Sequence, residues 1–198
     1  MSDAITNAPF EFRRIANVIE KESKVLDLGC GEGDLLYYLT QAKHINAQGI
    51  EIDEDAIYKC VEKGLTVFHT DIESGIDSYP DDSFDYIIMY NSLQQIHKVD
   101  EIIKESFRLG KKIIIGFPNF AYWTARKDLL LGNSPVTKNL PYQWYNTPNL
   151  RFLSINDFEI FCAKNKYKIL DEFFFSSGRE IKFLPNLLSQ TAVFAISK

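Results

Sequence analysis

Residues 25–36, VLDLGCGEGDLL, constrain this chain more than any other stretch. A short, mostly apolar run, Val25, Leu26 and Leu28 with Asp27 among them, passes directly into Gly29, Gly31 and Gly33, and then into DLLYYLTQA, an apolar pattern at helical spacing headed by an acid. Glycine supplies the left-handed backbone and the close approach that a tight strand-to-helix turn requires. An acid in the first turn of a helix suits the positive end of its dipole. The stretch therefore predicts a strand, a glycine turn and a helix, with a ligand lying against the backbone N–H groups of the turn.

The same alternation continues downstream. AQGIEID reads as a second strand and EDAIYKCVEKG as a helix that Gly64 ends; LTVFHTD, FDYIIMY and KKIIIGF are further short runs rich in β-branched and aromatic residues, with a helical DEIIKESFRL before the last. Upstream, FEFRRIANVIE carries Phe12, Ile15, Ala16 and Ile19 at helical spacing and predicts a packing helix over 10–22. A proline-, asparagine- and aromatic-rich insertion, about 118–153, reads as a helix plus a long loop. SINDFEIFCAKNKYKILDEFFF follows as a helix capped by Ser154 and feeding a strand, and TAVFAISK is the last strand, with GREIKFLPNLLSQ expected as a hairpin-like loop between them. Strands alternating with helices imply an α/β architecture: a mostly parallel seven-stranded sheet, Rossmann-like, with helices on both faces. At 198 residues and 45% hydrophobic content, one well-buried core is expected, and hence one domain over 1–198.

The opening MSDAITNAPF lacks a signal-peptide pattern, and IIIGF is far too short for a membrane span, so a cytoplasmic protein without membrane contact is expected. Cys30, Cys60 and Cys162 are odd in number and widely spaced, which argues against a disulfide framework or a zinc site. Charge is uneven: residues 1–97 hold 7 Lys+Arg against 18 Asp+Glu, and the remainder 15 against 9. The acidic front half disfavours nucleic acid as a partner there; the basic back half reads as solvated surface or as a face for an acidic partner.

Which ligand the turn holds is a question of spacing and charge. A dinucleotide site asks for G-x-G-x-x-G, whereas Gly29, Gly31 and Gly33 are spaced G-x-G-x-G, and Asp27, Glu32 and Asp34 would surround a pyrophosphate with carboxylates. Such a turn prefers a cation beside its exposed N–H groups, which fits S-adenosylmethionine, with its sulfonium and its ammonium next to a carboxylate, better than NAD. Glu51, 20 residues beyond Gly31 at the end of the second strand, stands where an acid accepts both ribose hydroxyls, and Ile52 can pack on the adenine face. Asp71 ends the third strand where it could accept from the adenine amino group, with the Ile72 backbone nearby, and the Asn91 carbonyl could receive the ammonium. Each acid alone reads equally well as a helix cap. Cys30, inside the turn, reads as a small packed residue.

Methyl transfer is an in-line displacement that needs positioning, plus a base where the acceptor must lose a proton. His97 is the best-placed candidate base, though a lone His on a loop is more often a surface residue; Tyr90 and Tyr122 could line an acceptor pocket, and no acid–base pair stands out, so no catalytic residue is assigned.

D-x-G-x-G-x-G followed by an acid at that distance resembles the class I methyltransferase fold. SFDYIIMYNSLQQI, FRLGKKIIIGFPNFAYW and above all PVTKNLPYQWYNTPNLRFLSINDFE, with the glycine turn and GIEIDEDAIYKCVEKGLTVFHTDIESG, resemble the methionine biosynthesis protein MetW family from about Val25 to Phe175. That resemblance implies a methyltransferase-like domain that works with homoserine O-acyltransferase in methionine synthesis, with S-adenosylmethionine or S-adenosylhomocysteine as ligand. The alternative is a methyltransferase acting on a small acceptor. Under either, Tyr142, Trp144 and Tyr145, between Pro141 and Pro148, read as core, as a lid, or as an exposed anchor for a partner.

Overall fold

The computed structural model describes residues 8–198. Helix α1 (Phe10–Val18) buries Ile15 and Ala16. It stops short of the predicted 22, because Ile19 turns to extended geometry and the chain reverses at Glu22 (φ 60°), whose N–H donates to the Lys43 carbonyl at 3.0 Å. The predicted alternation follows: β1 (Lys24–Leu28), α2 (Asp34–Lys43), β2 (Asn46–Glu51), α3 (Glu54–Glu62), β3 (Thr66–His69), a four-residue α4 (Ile72–Gly75), β4 (Phe84–Tyr90), α5 (Val99–Leu109) and β5 (Gly110–Pro118). Helix α6 (Trp123–Leu130) opens the insertion, which then runs irregularly to Leu153. The chain closes with α7 (Ile155–Asn165), β6 (Lys168–Ser176), β7 (Arg179–Glu180), α8 (Pro185–Leu188) and β8 (Thr191–Ser197).

All eight strands join one sheet, in the order β3-β2-β1-β4-β5-β8-β6-β7. The first five run parallel; β8 lies antiparallel between β5 and β6, and β7 pairs antiparallel with β6. The sheet is thus mixed and has one strand more than the sequence predicts. The extra strand is two residues long, folding back on β6 through Ser177 and Gly178, both at positive φ. A pairing that short leaves no period-two pattern to read. The rest of the expected hairpin loop forms α8, with Pro185 at its first position.

The parallel strands bury both faces. Leu26 and Leu28 of β1 pack in one cluster with Ile102, Ile103 and Phe107 of α5 and Ile155 and Phe158 of α7, whereas Val25 joins Ile15 of α1 and Leu35, Leu36 and Leu39 of α2 on the other face. Each such side chain contributes about 1.5–3 kcal/mol through the water it leaves. The predicted Ser154 cap is present as a full capping box with Asp157, which fixes the start of α7 so that its Phe158 packs against Phe117 and Phe194. No helix among the described residues is long and apolar enough to cross a membrane.

Chain order reverses between β1 and β4: β1 leads through α2 to β2 on one side, while β4 leads through α5 to β5 on the other. The carboxyl ends of β1 and β4 therefore diverge into a crevice, the place where open α/β sheets hold their ligands.

Candidate functional site

A cleft of about 560 Å³ occupies that crevice. Its walls come from four successive strand ends: Gly29, Cys30 and Gly31 after β1, Glu51 and Ile52 after β2, Thr70 to Glu73 after β3, and Tyr90 to Ser92 with Gln95 to His97 after β4. Pro148 and Leu150 of the insertion complete it. Eight of the ten residues singled out for the ligand come together here: Gly29, Cys30, Gly31, Glu51, Ile52, Asp71, Ile72 and Asn91. Asp27 and Gly33 do not line the cleft. Asp27 lies inside β1, only 2% exposed, and Gly33 is the left-handed N-cap of α2.

Glu51 is the organising side chain. Its Oε2 accepts from the Gly31 N–H at 2.7 Å, and its Oε1 accepts from the N–H groups of Ile52 and Asp53 at 2.8 and 3.0 Å, which ties the glycine turn to the end of β2. A carboxylate offers about four lone-pair sites, so three amides leave room for another donor. Asp71 Oδ1 accepts from the Glu73 N–H at 2.7 Å, so the helix-cap reading holds, and the residue still faces the cleft. Glu73, which the sequence did not bring forward, accepts from the N–H groups of His97 and Lys98 at 3.0 and 3.3 Å. Its placement two residues after Asp71 in DIESG was the only available signal. Ile52, 62% exposed, offers an apolar surface at the rim.

The charge of the turn is arranged differently from its reading in sequence. Glu32 and Asp34 form ion pairs with Lys59 of α3 and with Lys63 at its C-terminal cap, and leave the cleft wall altogether. The negative character comes instead from Glu51, Asp71 and Glu73, and among the described residues neither Lys nor Arg contributes to the lining. Behind them, Asp27 Oδ1 is buried without a hydrogen-bond partner among the described residues. Burial, and then the negative Glu51, push the Asp27 carboxyl up to about 8.

The remaining candidates divide. Burial drives the Cys30 thiol well above the ordinary cysteine range, which removes it as a nucleophile. Tyr90 is likewise held protonated by burial. The Asn91 carbonyl, expected to receive an ammonium, already accepts from Gln94 Nε2 at 2.7 Å, leaving one lone pair. Asn91 itself is left-handed at φ 60°, and its N–H donates to the Gly116 carbonyl. His97 is exposed and lines the cleft. Tyr122 lies outside that lining, at the N-cap of α6.

A second, open cavity, also about 560 Å³, is lined by the insertion, with Phe120, Leu140, Tyr142, Trp144, Asn149 and Phe152 among its walls. Trp144 is 75% exposed and Tyr145 69%, their rings meeting edge-on at 5.6 Å, so the anchor reading fits better than the core one. Trp144→Ala is expected to change stability by no more than about 0.5 kcal/mol. A chain of this size would then melt within about 2 °C of the unmodified protein, as calorimetry or circular dichroism can check.

The fold is shared with proteins of known structure. A SAM-dependent methyltransferase of Archaeoglobus fulgidus superposes with a TM-score of 0.72 at 16% identity, over 95% of this chain and 91% of that one. A SAM-dependent methyltransferase of Thermotoga maritima superposes at 0.67 with 18% identity, over 96% and 89%. At such identities the likeness is one of fold. In sequence, the chain is 33% identical to the bifunctional methionine biosynthesis protein MetXA/MetW of Rhodopirellula baltica, a match covering 93% of this chain and 32% of that protein, so the chain spans about a third of its relative's length. The model of the methionine biosynthesis protein MetW family matches residues 10–196. With the strand order, the glycine turn and the cleft in agreement, this chain belongs to the methionine biosynthesis protein MetW family.

Proposed function

We propose that this chain is an accessory subunit of methionine biosynthesis that binds S-adenosylmethionine or S-adenosylhomocysteine and associates with homoserine O-acyltransferase in the cytoplasm. The observation that carries the ligand is the composition of the cleft: the tight turn at Gly29, Cys30 and Gly31, whose own N–H groups are taken up by the Ile50 carbonyl and Glu51, the carboxylates of Glu51, Asp71 and Glu73, and no Lys or Arg among the described residues that line it. A pyrophosphate would be repelled there, whereas a ligand with a cationic sulfur and amine beside a ribose is matched. Glu51 would hold the ribose, Ile52 the adenine face, and Asp71 and Ile72 the adenine edge; the turn residues Gly29, Cys30 and Gly31 and the Asn91 carbonyl would hold the amino-acid end. The Asp27 oxygen buried behind the turn, without a partner among the described residues, fits a ligand that brings positive charge. When the ligand is S-adenosylmethionine it supplies an activated methyl group. Asp27 and Gly33 would act from behind, one by charge and one by setting the start of α2.

The partner reading is supported by the relative that joins MetXA and MetW in its name. Fusion holds two units at an effective concentration that free subunits reach only by binding. A second reading, methyl transfer to a small acceptor, is favoured by His97, an imidazole-bearing residue in the cleft lining.

Two measurements separate these. Mixing the chain with the acyltransferase from the same source should give a complex on size exclusion and a changed rate of O-acylhomoserine formation, and His97→Ala should leave that change intact. Consumption of S-adenosylmethionine with a metabolite panel would favour the second reading. For the ligand itself, Glu51→Gln should weaken S-adenosylhomocysteine by about ten- to a hundredfold in titration calorimetry, the equivalent of roughly 1.5–3 kcal/mol of charge-assisted hydrogen bonding. Unchanged affinity would remove Glu51 from the ribose.

A further inference from the structure

The cleft and the insertion cavity share a wall. Pro148 and Leu150 line the cleft, while Thr147, Asn149 and Phe152 line the insertion cavity, so an irregular segment turns alternate residues to opposite sides. The segment is neither helix nor strand, and it is fastened at a few points. The N–H groups of Leu150 and Arg151 both donate to the Gln94 carbonyl, at 2.8 and 3.0 Å, and Arg151 Nη2 donates to the His97 carbonyl at 2.7 Å. Its far end is held by the Phe120 N–H on the Leu153 carbonyl at 3.1 Å and by the Phe120 and Phe152 rings, 4.9 Å apart.

Gln94 is the residue on which these contacts converge. Its side chain donates to the Asn91 carbonyl at the cleft wall, its main chain receives the segment, and its Oε1 is buried without a partner among the described residues although the residue is only 5% exposed. A displacement of Leu150 or Pro148 by something in the cleft must carry Asn149 and Thr147 with it, since they are covalent neighbours within one strap. Pro148 stiffens this link, for its ring fixes its own backbone and restricts the residue before it.

We infer that residues 147–152 form a two-faced strap through which an adenosyl ligand in the cleft resets the shape of the insertion cavity. The inference rests on the ligand reading above and adds to it a direction of communication. By linkage, whatever fills the insertion cavity alters affinity in the cleft by the same factor that the cleft ligand alters affinity there. A coupling of this kind needs two arrangements that the ligand binds unequally. The strap, held by three hydrogen bonds on one side and by an aromatic contact and the adjoining Phe120–Leu153 hydrogen bond on the other, is the element able to supply them.

Trp144 makes the test direct, because it lines the insertion cavity and no part of the cleft. The chain has two tryptophans, so Trp123→Phe leaves Trp144 as the sole reporter. S-adenosylhomocysteine is titrated into this variant while Trp144 emission and calorimetric heat are followed together. The expected result is an emission change that saturates with the heat, and its loss in Leu150→Ala, which keeps the strap's backbone bonds but withdraws its cleft-facing side chain. Leu150 is 41% exposed, so this variant should fold; Arg151→Ala, which frees the His97 carbonyl, is a second route and should diminish the response. Binding heat without an emission change, or a response that persists at full size in both variants, overturns the strap and leaves the ligand reading standing. No heat at all in the parent overturns both.

Discussion

Gly29→Ala is expected to be among the most damaging single substitutions in the cleft. Gly29 has φ 78°, which costs an L-residue about 1–2 kcal/mol. A Cβ there would stand 2.7 Å from Ser92 Cβ, and Ser92 cannot retreat easily, because it is buried and its hydroxyl donates to the Leu28 carbonyl at 2.6 Å. Forcing extra volume into such a contact adds about 1–3 kcal/mol. The total, roughly 2–5 kcal/mol, corresponds to a melting temperature about 4–20 °C lower for a chain of this size. Gly31→Ala supplies the control: it also has positive φ, at 55°, but nothing lies within 4 Å of its would-be Cβ, so only the conformational cost of about 1–2 kcal/mol applies. Thermal unfolding of the two variants side by side decides the matter. Equal losses would mean that the approach of the turn to Ser92 carries no energetic weight.

The contrast also shows what a glycine pattern discloses. Gly29, Gly31 and Gly33 announce a turn in sequence, but that one of them is squeezed between β1 and the loop after β4 depends on strands some 60 residues apart. Local periodicity carried the sheet well: β1 to β5, α2, α3, α5 and the Ser154 cap all follow from apolar spacing and cap chemistry. What escaped has one physical character in common. The two-residue β7 and the four-residue α4, each held by partners a few residues away, and the strap at 147–152, which hangs on the distant Gln94 carbonyl, all leave no apolar period behind.

Charge was legible in amount and not in direction. The acidic turn pointed to a cation-loving site, yet Glu32 and Asp34 serve α3 through Lys59 and Lys63. The two lysines, Lys59 on α3 and Lys63 at its C-terminal cap, sit four apart, a spacing that by itself reads as ordinary solvated surface. Glu51 and Asp71 did reach the cleft, because a strand end fixes where the next residue points whatever its partners are.

Asp27→Asn should change the pH dependence of stability more than any other charge-removing substitution in the site. Burial, then Glu51, raise the Asp27 carboxyl to about 8 in the folded chain, against about 3.9 for an unfolded aspartate. Between those values the folded state holds a proton that the unfolded state has released. Stability must therefore fall as pH rises through this window, by about 1.4 kcal/mol per pH unit at most, and level off above it. The accumulated loss is on the order of 5 kcal/mol. An amide at this position has no such proton to lose, so the Asp27→Asn variant should lack this slope and gain on the parent steadily from about pH 4 to about pH 8, as urea unfolding at several pH values would show. Parallel profiles would mean that Asp27 is ionised in the folded chain throughout. A cationic ligand near the turn should favour the ionised form. Binding of S-adenosylmethionine at about pH 7 should then release protons, visible as a heat that varies with the ionisation enthalpy of the buffer and is lost in Asp27→Asn.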